Sequence, residues 1–145
     1  MSFIRVRFNL DVDDGFPPVS SELIFGIVLS NGSVRIDNTP FFVECIAIDD
    51  IVQCSRVDMG DIVDFIRLEQ RSGNKSISVI FIDSSLQEEV FQRVRSMGHY
   101  CEYGDFPEYS MLAISISKDS DISPLVLYLQ NMQKDDKLSY AELCL

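Results

Sequence analysis

The chain of 145 residues is strongly acidic, with a net charge of −11 and a pI of about 4.3. Such a surface repels phosphate backbones, so we expect no nucleic-acid binding and instead expect a basic protein partner. Hydrophobic residues make up 46% of the sequence, which allows a real core and excludes global disorder. This length suits one compact domain or two small subdomains that share an interface.

The apolar pattern predicts neither a membrane segment nor a signal peptide. The longest apolar stretch, residues 23–29, is far too short to span a bilayer, and the opening residues alternate as a strand does. We therefore expect a cytoplasmic protein with reduced thiols. The histidine and the cysteines lack metal-site or CxxC spacing, so no metal, cofactor or disulfide is expected. These residues are His99, Cys45, Cys54, Cys101 and Cys144.

The first half of the chain reads as short strands. Residues 3–10 alternate with period two, and Asn31-Gly32 predicts a tight type I′ turn between the next two strands. Further strands are predicted at 42–48, 49–57 and 62–70. Residues 1–71 are therefore predicted to form a small antiparallel β-barrel or curled sheet.

The composition changes at the polar segment Gln70 to Ser76, which is the predicted boundary. Residues 72–145 follow the order β-α-β-β-α-β, which is the ferredoxin-like pattern, with both helices on one face of a four-stranded sheet. The other sheet face also needs a cover, and the N-terminal β unit is expected to supply it. The predicted fold class is thus α+β, with an N-terminal barrel or curled sheet packed on a ferredoxin-like unit.

The segment "RIDNTPFF" predicts a rigid corner in the β unit. Asp37 and Asn38 favour a turn, and Pro40 keeps the preceding residue out of the helical region. In an extended chain Phe41 and Phe42 point to opposite faces, so one ring is expected in the core while the other meets a partner or the second subdomain. The corner is therefore read as structural, and a binding surface remains the alternative.

Asp50 in "AIDDIV" is also interpreted as a structural residue. Asp50 stands just before a β-branched strand, where a carboxylate commonly caps the turn that leads into the strand. Asp49 is its direct neighbour, so the two side chains diverge in an extended backbone and paired acid–base chemistry is not expected.

The loop "GDFPEYSM" is the segment most typical of a partner-binding site. It places Phe106 and Tyr109 among Asp105 and Glu108 at a predicted hairpin tip. Exposed rings supply buried area to an interface, and the acids pair with Lys or Arg of a basic partner. The alternative is that Phe106 folds back onto its own sheet.

Catalysis is not predicted. His99 and Cys101 stand two residues apart on one face of a strand, which leaves a Cys–His catalyst as an alternative. However, P-loop, GxGxxG and HExxH motifs are absent from the sequence.

The segments "VRFNLDVDDGFPPVSSELIFG", "VRIDNTPFFV" and "AIDDIVQC" resemble a family of small bacterial proteins catalogued only as a domain of unknown function. The family pattern is a "DGFPP"-like turn before an acid, a "DN-x-PFF" core and "x-x-D-x-V". The resemblance implies no activity. Where the family often has glycine, this chain has Asp49, so a different turn is expected there. The matching positions are Gly15, Pro17, Pro18, Glu22, Asp37, Asn38, Pro40, Phe41, Phe42, Asp50 and Val52.

Two classes of function are therefore open. The first is a non-enzymatic binding protein, in concrete form an immunity protein that neutralises a basic toxin such as a nuclease. A small, acidic chain without a catalytic constellation is suited to blocking a cationic site. The second is a small-ligand or regulatory module, which rests on analogy with ferredoxin-like units.

Overall fold

The computed structural model describes residues 2–55 and 60–145. It is an α+β structure with a closed five-stranded barrel and a four-stranded sheet that carries two helices. The strands are β1 (Ser2–Asn9), β2 (Ser21–Val28), β3 (Val34–Ile36), β4 (Ile51–Ser55), β5 (Ile62–Gln70), β6 (Lys75–Phe81), β7 (Tyr100–Phe106), β8 (Tyr109–Ile116) and β9 (Leu138–Cys144). The helices are α1 (Gln87–Ser96), preceded by a 3-10 turn, and α2 (Ser123–Lys134).

The barrel contains β1 to β5 in sequence order and closes where β1 meets β5. The closing pair is parallel, so the prediction of a wholly antiparallel unit is wrong. The physical reason is parity, because strands of alternating direction leave the first and fifth running the same way. The interior is filled by β-branched and aromatic side chains, which suit a curved, pleated wall. Its buried members include Val6, Phe8, Ile24, Ile36 and Val52.

Two details of the predicted barrel differ from the structure. The Asn31-Gly32 turn is not type I′, because only Gly32 has a positive φ, at 89°. The Gly32 amide donates to the Leu29 carbonyl at 3.0 Å, and the Asn31 side chain accepts the Ser33 amide at 3.0 Å. This arrangement is a type I turn that ends in a left-handed glycine, the usual three-residue hairpin loop. In addition, residues 56–57 of the predicted 49–57 strand lie outside the described residues.

The predicted strand over residues 42–48 is wrong, since this segment is an irregular loop. Cys45 and Asp49 adopt positive φ values of 64° and 69°, which interrupt any extended run. Asp49 thus takes the conformation that glycine adopts most easily. Periodicity alone does not reveal such a loop, because its buried residues mimic a strand.

The second sheet has the order β7-β8-β6-β9, and all its pairs are antiparallel. Both helices bury their apolar stripes in one cluster with this sheet, as the i, i+4 spacing of their apolar residues predicts. The stripes are Val90 and Val94 of α1 and Leu125 and Leu129 of α2.

The helix-free face of this sheet contacts the barrel through polar links as well as side-chain packing. The Thr39 hydroxyl donates to the Ile114 carbonyl at 3.4 Å, and the Ser76 hydroxyl donates to the Ile46 carbonyl at 3.0 Å. The Cys45 amide donates to the Leu143 carbonyl at 2.8 Å. The loop over residues 37–50, called here the corner loop, therefore joins the barrel to the second sheet. Within the described parts of the chain, neither helix has the length and apolarity needed to cross a membrane.

Candidate functional site

The corner loop is held by a carboxylate from strand β2. Oε2 of Glu22 accepts the Phe41 amide at 2.7 Å, and Oε1 accepts the amides of Phe42 and Val43 at 3.0 Å each. Burial raises the pKa of the Glu22 carboxyl, and the three amide donors oppose that rise. One side chain thus satisfies three backbone donors of a loop, which has no strand pairing to satisfy them.

Asn38 fixes the entry to the same loop. Its Oδ1 accepts the Phe25 amide at 2.7 Å, while the amide of the exposed Asp37 donates to the Phe25 carbonyl at 2.9 Å. Pro40, two residues further on, is buried. The Asn-Thr-Pro corner is therefore tied to β2 by both side-chain and backbone hydrogen bonds.

Replacing Asn38 with alanine is expected to lower the free energy of unfolding by about 1–2 kcal/mol, because the Phe25 amide loses its acceptor. Urea denaturation of the two proteins measures the difference. Asp37→Ala is the matched control, since the carboxylate of this exposed neighbour makes none of these bonds. An Asn38 variant as stable as the control would contradict the role of this side chain.

Asp50 connects the end of the corner loop to the start of the second unit. Its Oδ2 accepts the Ala47 amide at 3.0 Å, and its Oδ1 accepts both the amide and the hydroxyl of Ser72, at 2.8 and 2.9 Å. Asp50 is only 1% exposed. A buried carboxylate with three donors holds the segment between the barrel and β6 in place.

The hairpin tip between β7 and β8 packs on the corner loop. The ring of Phe106 contacts those of Phe41 and Phe42, with centroids 5.7 and 5.1 Å apart. Phe16 contacts Phe42 at 5.9 Å and Tyr109 at 5.7 Å. Both corner-loop phenylalanines therefore meet the second unit, whereas only one was expected to.

Phe106 and Tyr109 are half-buried in this aromatic cluster, so Phe106 folds back as the alternative expected, but onto the corner loop and not onto its own sheet. The physical reason is that Phe106 finds ring partners on the corner loop and Tyr109 finds one in Phe16, and these partners are far away in the sequence. Asp105 and Glu108 remain exposed.

A second acidic segment lies beside this tip. The backbones of Asp13 and Phe16 pair through hydrogen bonds of 2.9 and 3.1 Å, and Asp14 and Gly15 turn between them with positive φ. Because Phe16 touches Tyr109, this turn is brought to the hairpin tip. We call the exposed residues Asp13, Asp14, Phe16, Asp105 and Glu108 the acidic patch. The acidic patch is hard to predict from the sequence, because neither segment alone indicates that the two segments are in contact.

A cleft of about 920 Å³ opens between the barrel and the helix-free sheet face. Its floor includes Ser78 and Ala141, and its barrel wall includes Phe8 and Phe65, whose rings stack with centroids 4.8 Å apart. Arg71 also lines the cleft. Sequence reasoning missed this site, because its lining residues are scattered along the chain.

His99 and Cys101 do not have the properties of a nucleophilic pair. Both are buried, and burial raises the pKa of the Cys101 thiol to about 11. Burial also lowers the pKa of His99. The thiol is thus kept protonated, whereas a nucleophile needs the thiolate. In the described residues no group of three His, Cys, Asp or Glu side chains is arranged to hold a metal ion.

Comparisons with known proteins show the fold and the family. The chain superposes on the crystal structure of a hypothetical protein from Neisseria gonorrhoeae with a TM-score of 0.72 and 23% sequence identity. The match covers 99% of this chain and 94% of that one, and at this identity it shows the fold alone. No curated protein matches the chain. The family described as domain of unknown function DUF4265 matches residues 22–140. The predicted kinship with an uncharacterised family is confirmed, and the chain belongs to the DUF4265 family.

Proposed function

We propose that this is a non-enzymatic protein that binds and neutralises a basic protein partner, as an immunity protein neutralises a toxin. The observation that carries the proposal is the acidic patch. Two acidic segments from opposite parts of the chain meet around the Phe16 ring, which is 40% exposed. The net charge of −11 extends the same sign over the rest of the surface.

The patch combines the two features that recognition of a cationic surface needs. Its carboxylates attract Lys and Arg over long range and increase the rate of association. Its aromatic ring offers apolar area that a partner can cover. Phe16 and Tyr109 are held by ring contacts within the chain, so little side-chain freedom is lost on binding. A nuclease is one suitable partner, because a phosphate-binding site is cationic.

Neutralising the patch is expected to abolish capture of such a partner. The parent protein and a patch variant would each be co-expressed in the native host with the product of the adjacent gene. The patch variant carries Asp13→Asn, Asp14→Asn, Asp105→Asn and Glu108→Gln. Pull-downs at low and high salt would then be compared. We expect the parent to retain a basic protein that salt releases, and the variant to retain at least about tenfold less, because four charges are lost.

The matched control removes four exposed acids elsewhere, namely Glu89, Asp119, Asp135 and Asp136. It has the same net charge as the patch variant, so it separates position from total charge. Equal loss in both variants would show that overall charge, and not the patch, drives capture. Absence of a basic partner at both salt concentrations would contradict the proposal.

We also propose that the second unit is ferredoxin-like and that the protein acts in the cytoplasm. The element order from β6 to β9 and the sheet order β7-β8-β6-β9 support the ferredoxin-like assignment. The four cysteines are all free, which suits a reducing compartment. A different strand order in an experimental structure would contradict the first assignment, and secretion of the tagged protein would contradict the second.

A further inference from the structure

The cleft between the barrel and the sheet has the size and composition of a small-molecule site. Its volume of about 920 Å³ is in the range of ligand pockets, which are mostly apolar with a few polar groups. The barrel side presents the stacked rings of Phe8 and Phe65, and Phe42 lies beside the hairpin tip. An apolar body can therefore be covered on the barrel side.

The sheet side contains a buried polar group without a partner. Ser78 is 5% exposed and lines the cleft, and its Oγ has no hydrogen-bond partner among residues 2–55 and 60–145. The register places Ala113 on one side of Ser78 and Ala141 on the other. These small neighbours keep the floor open above the hydroxyl. A buried hydroxyl without a partner is unfavourable, so a bound polar atom at this point would be stabilised.

Arg71, in the segment between β5 and β6, supplies a cation that lines the same cleft. Its Nη1 donates to the Cys45 carbonyl at 3.3 Å and to Cys144 Sγ at 3.7 Å. Within residues 2–55 and 60–145, no carboxylate lies at ion-pair distance from Arg71, whereas Arg7 at the cleft is paired with Asp64 at 2.6 Å. The Arg71 guanidinium therefore keeps donors for an incoming anion.

Strand register brings Arg71 and Ser78 close to each other. Arg71 touches Cys144, which pairs with Ser76, and Ser78 is two residues further along β6. Two residues of a strand span about 7 Å, so Ser78 lies close along β6 to the point that Arg71 reaches, and both side chains line the same cleft. Asp11 and Glu44 also line the cleft and are exposed, and they would repel a second negative charge.

We propose that this cleft binds a small monocarboxylate with an apolar body, such as an acyl or aryl carboxylate. The carboxylate accepts hydrogen bonds from Arg71 and from the Ser78 hydroxyl, and the body lies against the ring-lined barrel wall. This inference does not rest on the protein-binding activity proposed above, although Phe16 lines the cleft and also belongs to the acidic patch, and its test needs no protein partner.

Calorimetric titration with decanoate and with 2-naphthoate tests the site, and decanol and the dicarboxylate sebacate are the comparison ligands. We expect saturable binding of at least one monocarboxylate. Decanol and sebacate should bind at least about tenfold more weakly than decanoate, because the first lacks the charge and the second carries an extra one. Saturable binding of neither monocarboxylate would overturn the proposal.

Three variants with matched controls locate the ligand. Ala141→Leu places a larger side chain on the cleft floor beside Ser78 and should weaken decanoate binding at least about tenfold, whereas Glu142→Leu on the same strand should not. Arg71→Gln should remove the preference for decanoate over decanol, whereas Arg67→Gln should retain it. Ser78→Ala should weaken decanoate binding by about 3–10-fold, with Ser115→Ala as its control.

Thermal unfolding of each variant without ligand shows whether the variant is folded. Loss of binding is interpreted only for variants that are folded. Because the Ser78 hydroxyl is unpartnered, Ser78→Ala should leave Tm unchanged or raise it. Decanoate affinity that is unchanged by Ala141→Leu would place the ligand elsewhere. A decanoate preference that survives Arg71→Gln would overturn the role of the cation.

Discussion

Replacing Glu22 with alanine is expected to lower the free energy of unfolding by about 3–5 kcal/mol. Among the described residues, Glu22 is the only one whose side chain bonds the amides of Phe41, Phe42 and Val43, and the substitution removes it. Each buried amide left without an acceptor costs about 1–3 kcal/mol, and water entering the loop would recover part of that. Urea denaturation followed by circular dichroism measures the loss.

Two further variants make this prediction specific. Glu22→Gln keeps the length of the side chain but replaces one acceptor oxygen with a donor, so we expect an intermediate loss. Glu44→Ala removes an exposed acid from the same loop and should change stability by less than about 0.5 kcal/mol. If Glu22→Ala were no more damaging than Glu44→Ala, the corner loop would be held by something other than this carboxylate.

Gly104→Ala is expected to lower stability by about 2–3 kcal/mol, although alanine is normally tolerated at least as well as glycine in a strand. A Cβ built on Gly104 would overlap the Phe41 ring, with Cζ at 2.7 Å. Relief requires the ring or the strand to move, which would separate the corner loop from the hairpin tip. Denaturation of the variant, together with its near-ultraviolet spectrum, would report both effects.

A double-mutant cycle identifies the cause. Phe41→Leu replaces the ring with a smaller aliphatic side chain, so Gly104→Ala should cost much less in that background than in the parent protein. The coupling energy is expected to exceed about 1 kcal/mol, as it does for side chains in direct contact. Additive effects of the two substitutions would show that the strain arises elsewhere.

These two sites illustrate what local patterns miss. Glu22 stands in an ordinary apolar strand sequence, and it drew attention only through the family resemblance. Its role depends on backbone amides nineteen to twenty-one residues later, in a loop whose residues 42–48 have the pattern of a strand. Gly104 likewise has no special φ, and only the position of the Phe41 ring makes it necessary.

The sequence by itself determined the α+β class and the order of elements in the second half of the chain. The alternation of residues 3–10 and the i, i+4 stripes of the helices carried this result, because periodicity reports which side of each element is buried. In the first half the same reasoning added a strand over residues 42–48 that the structure lacks. The tertiary structure alone decided how the parts meet. It closed the barrel with a parallel pair, turned Phe106 and Tyr109 inward, and brought Asp13 and Asp14 beside Asp105 and Glu108. Those outcomes depend on contacts between distant residues, and no local pattern encodes such contacts.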